Sequence, residues 1–337
     1  MTHFATVVSG ENDTFHFNLY PAFMSEKKIL ITGACGQIGS ILSSALREKY
    51  GQDQVICTDI LPEESQVGPY YCLDVRDTDA FRDIVSRENI GIVYHMAALL
   101  SASGEKNPML TWEINLNAWL RMLEASVELG IQRLFFPSTI AVFGLQTPRV
   151  DTPQYCNLTP TTVYGMSKAA GENWANYFYN RYGLDVRSLR YPGIISWDSQ
   201  PGGGTTDYAV EIFHEAIKHK TYTSYIDAPT RLPMMYMPDA IKATLDLMDA
   251  PAGGLNVRTS YNLTAFSFSP EELAAAIRVH IPEFTIDYAP DFRQKIAASW
   301  PESIDDQTAR TDWGWKPAFT MEEMVADIIS NLKNQGQ

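Results

Sequence analysis

Lys28-Ile29-Leu30-Ile31-Thr32-Gly33-Ala34-Cys35-Gly36-Gln37-Ile38-Gly39, followed by Ser40-Ile41-Leu42-Ser43-Ser44-Ala45-Leu46, decides the fold. The first five residues are a short apolar run of strand length, rich in β-branched side chains. The last seven read as a helix. The glycines between them are spaced G-x-x-G-x-x-G. Gly33 permits the tight turn, Gly36 lets backbone approach a pyrophosphate, and Gly39 packs helix on strand. Strand, glycine turn and helix together predict a dinucleotide-binding entry, with the diphosphate at the helix N-terminus.

Further strands are expected at 54–58, 70–73, 90–96, 133–137 and 184–190, separated by helices at 77–89, 108–130 and 163–182. Alternation of this kind predicts an α/β fold, a Rossmann-type doubly wound parallel sheet whose ligand crevice lies beyond the carboxyl ends of the strands. Gly33, Asp59, Ala97 and Thr139 all fall at such ends. Asp59 lies 26 residues after Gly33, about where a carboxylate binds the adenosine ribose, and it would repel a 2′-phosphate. That favours NAD over NADP; an ordinary strand-end carboxylate is the plainer alternative. Asp74 and Val75 close the third strand as candidate adenine contacts. His95 reads as a structural histidine with no partner in view.

Tyr164 and Lys168 stand four apart on the helix at 163–182 and therefore share one face. An ammonium beside a phenol is expected to lower its pKa and fit it for proton exchange with a substrate hydroxyl. A tyrosine packed under a lysine stem is the bland alternative. Composition shifts at Pro201-Gly202-Gly203-Gly204, so we expect residues 1–26 to be an extension, 27–200 a cofactor-binding domain, and 201–337 a smaller substrate-binding lobe. Part of that lobe, about 234–250, is expected to pack back on the first domain. Residues 1–23 suit neither a secretory signal nor a transit peptide, and translation starting at Met24 is one reading of them.

The chain has 337 residues and a net charge of −14, which disfavours nucleic acid. No apolar run is long enough to span a membrane. Cys35, Cys57, Cys72 and Cys156 form no C-x-x-C pair and have no histidine at ligand spacing, so no metal site is expected. All four read as small buried hydrophobes.

These motifs, with Ser138-Thr139 and Tyr191-Pro192-Gly193, resemble the extended short-chain dehydrogenase/reductases over about residues 27–335. The general shape is similar to the nucleotide-sugar epimerases, but Arg190-Tyr191-Pro192-Gly193 stands where those show an Arg-Tyr-Phe-Asn type segment. The stretches 101–108, 201–209 and 299–306 resemble the short-chain-type L-threonine 3-dehydrogenases instead. The resemblance implies oxidation of the threonine β-hydroxyl by NAD to 2-amino-3-oxobutanoate. Thr139, Tyr164 and Lys168 would be catalytic, with Ser138 the second choice for the hydroxyl. The cofactor would be bound by Gly33, Gly36, Gln37, Ile38, Gly39, Asp59, Asp74, Val75, Ala97, Asn115, Tyr164, Lys168, Tyr191 and Pro192. The substrate would meet Ser101, Thr139, Tyr164, Thr205, Trp300 and Arg190, the last near its carboxylate. It also implies a homodimer through the helices at 108–130 and 163–182, and a cytoplasmic or, in animal relatives, mitochondrial setting. An NAD-dependent 4-epimerase and a non-catalytic NAD-sensing regulator are the competing readings.

Overall fold

The computed structural model describes residues 27–62, 68–198 and 203–335. The extension at 1–26, with Met24, lies outside the described residues, as do Pro201 and Gly202. The first half alternates strand and helix: β1 (Lys28–Thr32), α1 (Gln37–Tyr50), β2 (Val55–Asp59), β3 (Tyr70–Cys72), α2 (Thr78–Arg87) and β4 (Ile90–His95). Then come α3 (Ser101–Gly104), α4 (Pro108–Trp112), α5 (Ala118–Glu128), β5 (Arg133–Thr139), α6 (Val163–Tyr182) and β6 (Asp185–Tyr191). The second half adds β7 (Gly193–Ile195), α7 (Tyr208–Lys218), β8 (Thr221–Ser224), β9 (Leu232–Tyr236), α8 (Met237–Asp249), β10 (Tyr261–Asn262) and β11 (Phe266–Phe268). It ends with α9 (Pro270–His280), β12 (Thr285–Tyr288), α10 (Phe292–Ala297), α11 (Gln307–Trp313) and α12 (Met321–Gln335).

The main sheet has seven strands in the order β10-β6-β5-β4-β1-β2-β3, every pair parallel. The chain runs outward from β1 to β3, then returns to β4 and runs the other way. The crevice therefore opens between β1 and β4, at the topological switch point. Period-two alternation between two covered faces explains why the centre of β1, Ile29 to Ile31, is apolar. Ile29 and Ile31 point to the face covered by α1 and α8, with Leu42, Leu46 and Leu247. Leu30 points to the opposite face, with Phe81, Trp119 and Phe136. A strand buried on both sides has no polar positions to spare. The third core cluster, around Tyr208, Phe213, Ile277 and Ile328, lies mostly in the second half and takes in Ile140, Val142 and Phe143 after β5.

The segment read as one helix over 108–130 is broken by a π-helical turn at Glu113–Asn117. Such a widened turn is common at functional sites, and here it carries Asn115. The cysteines differ from expectation. Cys57 is buried and Cys35 and Cys156 are half-buried, but Cys72 is exposed, because β3 is the sheet's edge strand and its last residue faces out.

Candidate active site

The glycine turn is built by close approach. Gly33 has φ +69°, and a Cβ there would lie 2.5 Å from the Ala97 amide nitrogen; one on Gly39 would lie 2.1 Å from the Gly33 carbonyl oxygen. The Cys35 amide donates to Asp59 Oδ2 at 3.0 Å, so the carboxylate at the end of β2 also braces the turn. Asp59, Asp74, Val75 and Ala97 border one cavity of about 380 Å³, where Asp74 is ion-paired with Arg76. Gly33, Gly36, Gln37, Ile38 and Gly39 line the adjoining cleft, of about 270 Å³. Gln37 Nε2 is a buried donor without a partner in the protein. A glycine-walled turn, an unused donor and a carboxylate at the far end of the second strand fit an adenine dinucleotide.

The catalytic candidates converge in the same cleft, which Thr139, Tyr164, Lys168, Ser101, Thr205 and Trp300 all line. Helix α6 starts where it does because Thr162 Oγ1 accepts the Gly165 amide at 3.1 Å, a cap worth about 1 kcal/mol. It ends at Gly183, which takes the left-handed conformation with φ +70°. Its first turn presses on the turn after β5: a Cβ on Gly165 would lie 2.1 Å from the Ala141 carbonyl oxygen. That approach brings the Tyr164 phenol beside the Thr139 hydroxyl, and both line the cleft.

The electrostatics depart from the sequence expectation. Burial pushes the Tyr164 phenol up to about 12, and the Thr139 hydrogen bond only moderates this. Burial also holds the Lys168 ammonium down at about 7. Lys168 Nζ lies 4.6 Å from the Phe136 ring centroid but 5.9 Å from that of Tyr164. In the free protein the lysine thus sits nearer the Phe136 ring than the Tyr164 ring. His95 is structural: its Nδ1 is 2.8 Å from Thr32 Oγ1 and its ring stacks on Trp119. Burial, then the charge of Lys168, lowers it to about 3.

Several other candidates are placed less directly. Ser101 Oγ and Thr205 Oγ1 are 3.0 Å apart, so two loops distant in sequence meet over the cleft. Glu105 accepts the Val163 amide at 2.8 Å, latching the Ser101 loop to the first turn of α6. Trp300 is no swinging lid. Its segment is stitched to residues 149–152 by Thr152 N to Ser303 O at 3.0 Å, Asp305 N to Thr152 O at 3.0 Å and Asp151 N to Ser303 Oγ at 2.7 Å. Trp300 Nε1 is nevertheless buried without a partner. Tyr191 and Pro192 line the cleft, while the Tyr191 hydroxyl bonds to Thr244.

Two expectations are corrected. Arg190 does not face the cleft; it is buried against Glu172 at 2.8 Å and also bonds Gln154 O and Asn262 Oδ1. It leaves β6 on the face opposite Leu189 and Tyr191. Asn115 lines neither cavity; its side chain closes on the backbone N–H and C=O of Leu99, both at 2.9 Å. Ser138 does border the cleft, but its hydroxyl is spent on Glu172 at 2.5 Å, whereas Thr139 Oγ1, which accepts the Ala141 amide at 3.2 Å, keeps its proton to offer a ligand in the cleft. The sequence reading passed over Glu105, Glu172 and Asp207. Asp207 carried a signal, as an acid three residues after a glycine run. Among the described residues no cluster of three or more His, Cys, Asp or Glu side chains is arranged to hold a metal ion.

Comparison with known proteins gives the same picture. The profile of the NAD dependent epimerase/dehydratase family matches residues 29–263. The mitochondrial L-threonine 3-dehydrogenase of Bos taurus is 48% identical over 309 residues, covering 90% of this chain and 82% of its own. An uncharacterised epimerase/dehydratase of Staphylococcus aureus is 48% identical over 92% of this chain and 98% of its own. The solved holo form of an L-threonine dehydrogenase from Cupriavidus necator is 51% identical and superposes with a TM-score of 0.89, covering 90% of this chain and 99% of that one. The family match over most of the chain and relatives near half identity show that the chain belongs to the NAD-dependent epimerase/dehydratase family, within the extended short-chain dehydrogenase/reductases.

Proposed function

We propose that this chain is an L-threonine 3-dehydrogenase, oxidising the β-hydroxyl of L-threonine to give 2-amino-3-oxobutanoate and NADH. The observation that carries the reading is the convergence of Tyr164, Thr139, Ser101, Thr205 and Trp300 on the cleft that continues from the glycine turn. When bound there, NAD+ supplies the hydride acceptor. Gly33, Gly36, Gln37, Ile38, Gly39 and Asp59 would hold it, with Lys168 near its nicotinamide ribose.

Tyr164 takes the proton of the substrate hydroxyl, and Thr139 holds the same oxygen, where charge changes during reaction. A phenol held at about 12 in the free protein is a poor base near neutrality. Proton transfer is favoured if the Lys168 charge moves from the Phe136 face towards Tyr164 when the cleft fills. Trp300 Nε1 offers a hydrogen bond to the substrate, and the Ser101–Thr205 pair forms part of its seat.

We also propose a homodimer through α4, α5 and α6. Met166, Trp174, Tyr177 and Tyr182 on α6 and Met109 on α4 are exposed large apolar side chains, the kind of surface that partners cover. Among the described residues no helix is long and apolar enough to cross a membrane.

The test is NADH absorbance on adding L-threonine, or UDP-galactose, to protein with NAD+. NADH should accumulate with threonine alone. Silence with threonine, or conversion of the sugar nucleotide, overturns the reading.

A further inference from the structure

Among the described residues, Lys168 and Asp207 are the only Lys, Arg, Asp or Glu side chains lining the main cleft. Lys168 belongs to the catalytic pair. Asp207 has no role so far. It stands immediately before α7, and its carboxylate turns back over the glycine-rich loop. Oδ2 accepts both the Gly203 amide at 2.9 Å and the Gly204 amide at 2.8 Å. The two amides fix the carboxylate plane and leave Oδ1 without a hydrogen bond. Oδ1 lies 2.8 Å from where a Cβ on Gly204 would sit, so the side chain packs against the glycine wall of the cleft.

Asp207 is 7% exposed, and no cation pairs with it. Burial raises its pKa, the two amides oppose this, Glu211 adds to it, and Arg293 draws it back. That arginine is itself engaged with Asp291 at 2.8 Å. A buried carboxylate braced by two amides and lacking a cation is a site waiting for one. Trp300 Nε1, an unpartnered donor, lines the same cleft. One free acceptor of negative charge and one free donor, in a cleft that also holds the phenol, suit a substrate carrying an ammonium and an anionic group near its alcohol carbon.

We propose that Asp207 is the specificity-determining residue of this enzyme, its Oδ1 receiving the α-ammonium of the substrate and so selecting alcohols with a neighbouring amino group. This rests on the dehydrogenase reading above and names what that reading leaves open. Asp207→Asn keeps an oxygen for the Gly203 and Gly204 amides while removing the charge. L-threonine and 3-hydroxybutanoate, which lacks the amino group, are compared as substrates of wild type and variant. We expect kcat/KM for threonine to fall roughly 10- to 100-fold, the loss of one charge-assisted hydrogen bond. The value for 3-hydroxybutanoate should stay within about twofold, since that substrate makes no such bond.

Equal losses on both substrates would make Asp207 a loop brace and overturn the proposal, as would no loss on either. Should the variant fail to bind NADH, wild type decides alone. 1-Aminopropan-2-ol should then compete with the substrate at a concentration at least roughly 10-fold lower than butan-2-ol, and equal competition overturns the proposal. If wild type does not oxidise threonine at all, the dehydrogenase reading fails. Calorimetric titration of the NADH complex with the same amine and alcohol still tests Asp207 separately.

Discussion

Lys168 Nζ sits 4.6 Å from the centroid of Phe136, a side chain of β5, and this contact sets the resting state of the site. The ring is held from behind by Gly171, where a Cβ would lie 2.5 Å from the ring edge. Both partners are fully buried, and burial keeps the lysine at about 7.

An unfolded lysine titrates near ~10.4, so its proton is lost at lower pH in the folded protein. Between the two values the unfolded chain binds a proton that the native state does not, and stability rises with pH across that window. Below about 7 the whole penalty of the buried charge is present. Lys168→Met should therefore melt above wild type in slightly acidic buffer, and the difference should shrink as pH is raised to roughly 10. Calorimetric melts of NAD-free protein check this; a difference that does not change with pH refutes it.

Tyr164→Phe removes the proton acceptor while leaving the cofactor cradle intact. Turnover should drop by at least roughly 10²-fold, with NADH binding by fluorescence little changed. Thr139→Ser should keep most activity and Thr139→Ala should not, because only the hydroxyl reaches the phenol. Ser138→Ala should lower the melting temperature more than kcat, since its hydroxyl serves Glu172.

Arg190→Met leaves Glu172 buried without its cation. Breaking such a pair costs about 3–5 kcal/mol, visible in urea denaturation at neutral pH. KM for threonine in the folded fraction should stay near wild type. A large rise in KM at unchanged stability would restore Arg190 to the substrate site.

Ser303 bonds to Asp151 in both directions, accepting from its N–H at 2.7 Å and donating to its carboxylate at 2.9 Å. Ser303→Ala should loosen the segment that positions Trp300. The expected result is a KM for threonine several-fold higher with NAD affinity unaltered, read from initial rates and a binding titration.

Trp174→Glu, with Tyr177→Glu, puts charge on the exposed aromatic face of α6. If that face joins two copies, light scattering should report monomer for the double variant and dimer for wild type. Monomeric wild-type protein removes the proposed interface.

The sheet and the cofactor turn were legible because each residue there answers to a local rule. Strands covered on both faces read as unbroken apolar runs, and Gly33 and Gly39 are demanded by contacts under 3 Å to a would-be Cβ. Tyr164 and Lys168 were legible through helical spacing. The failures have one cause: sequence reports a side chain's chemistry and leaves its direction open. Arg190 and Tyr191 are neighbours, yet strand alternation sends one to Glu172 and the other to Thr244. Asn115 sits in a π-helical turn that no spacing announces, and its amide closes on the Leu99 backbone. Helical spacing brings Lys168 and Tyr164 together but does not show that both are buried, and burial raises the phenol and lowers the ammonium.

The parallel pairing of β10 with β6 bears on how the protein is made. Tyr261 and Asn262 lie opposite Leu189 and Arg190, and Asn262 Oδ1 accepts from the arginine at 3.0 Å. A ribosome adding ~5–20 residues per second has released β6 several seconds before it delivers this seventh strand. Until then the nascent sheet has an open edge, and a guanidinium that the finished fold buries lacks one of its acceptors. The cofactor half therefore completes itself only with material from the other half, and a chain stopped near residue 200 would emerge as a client for chaperones.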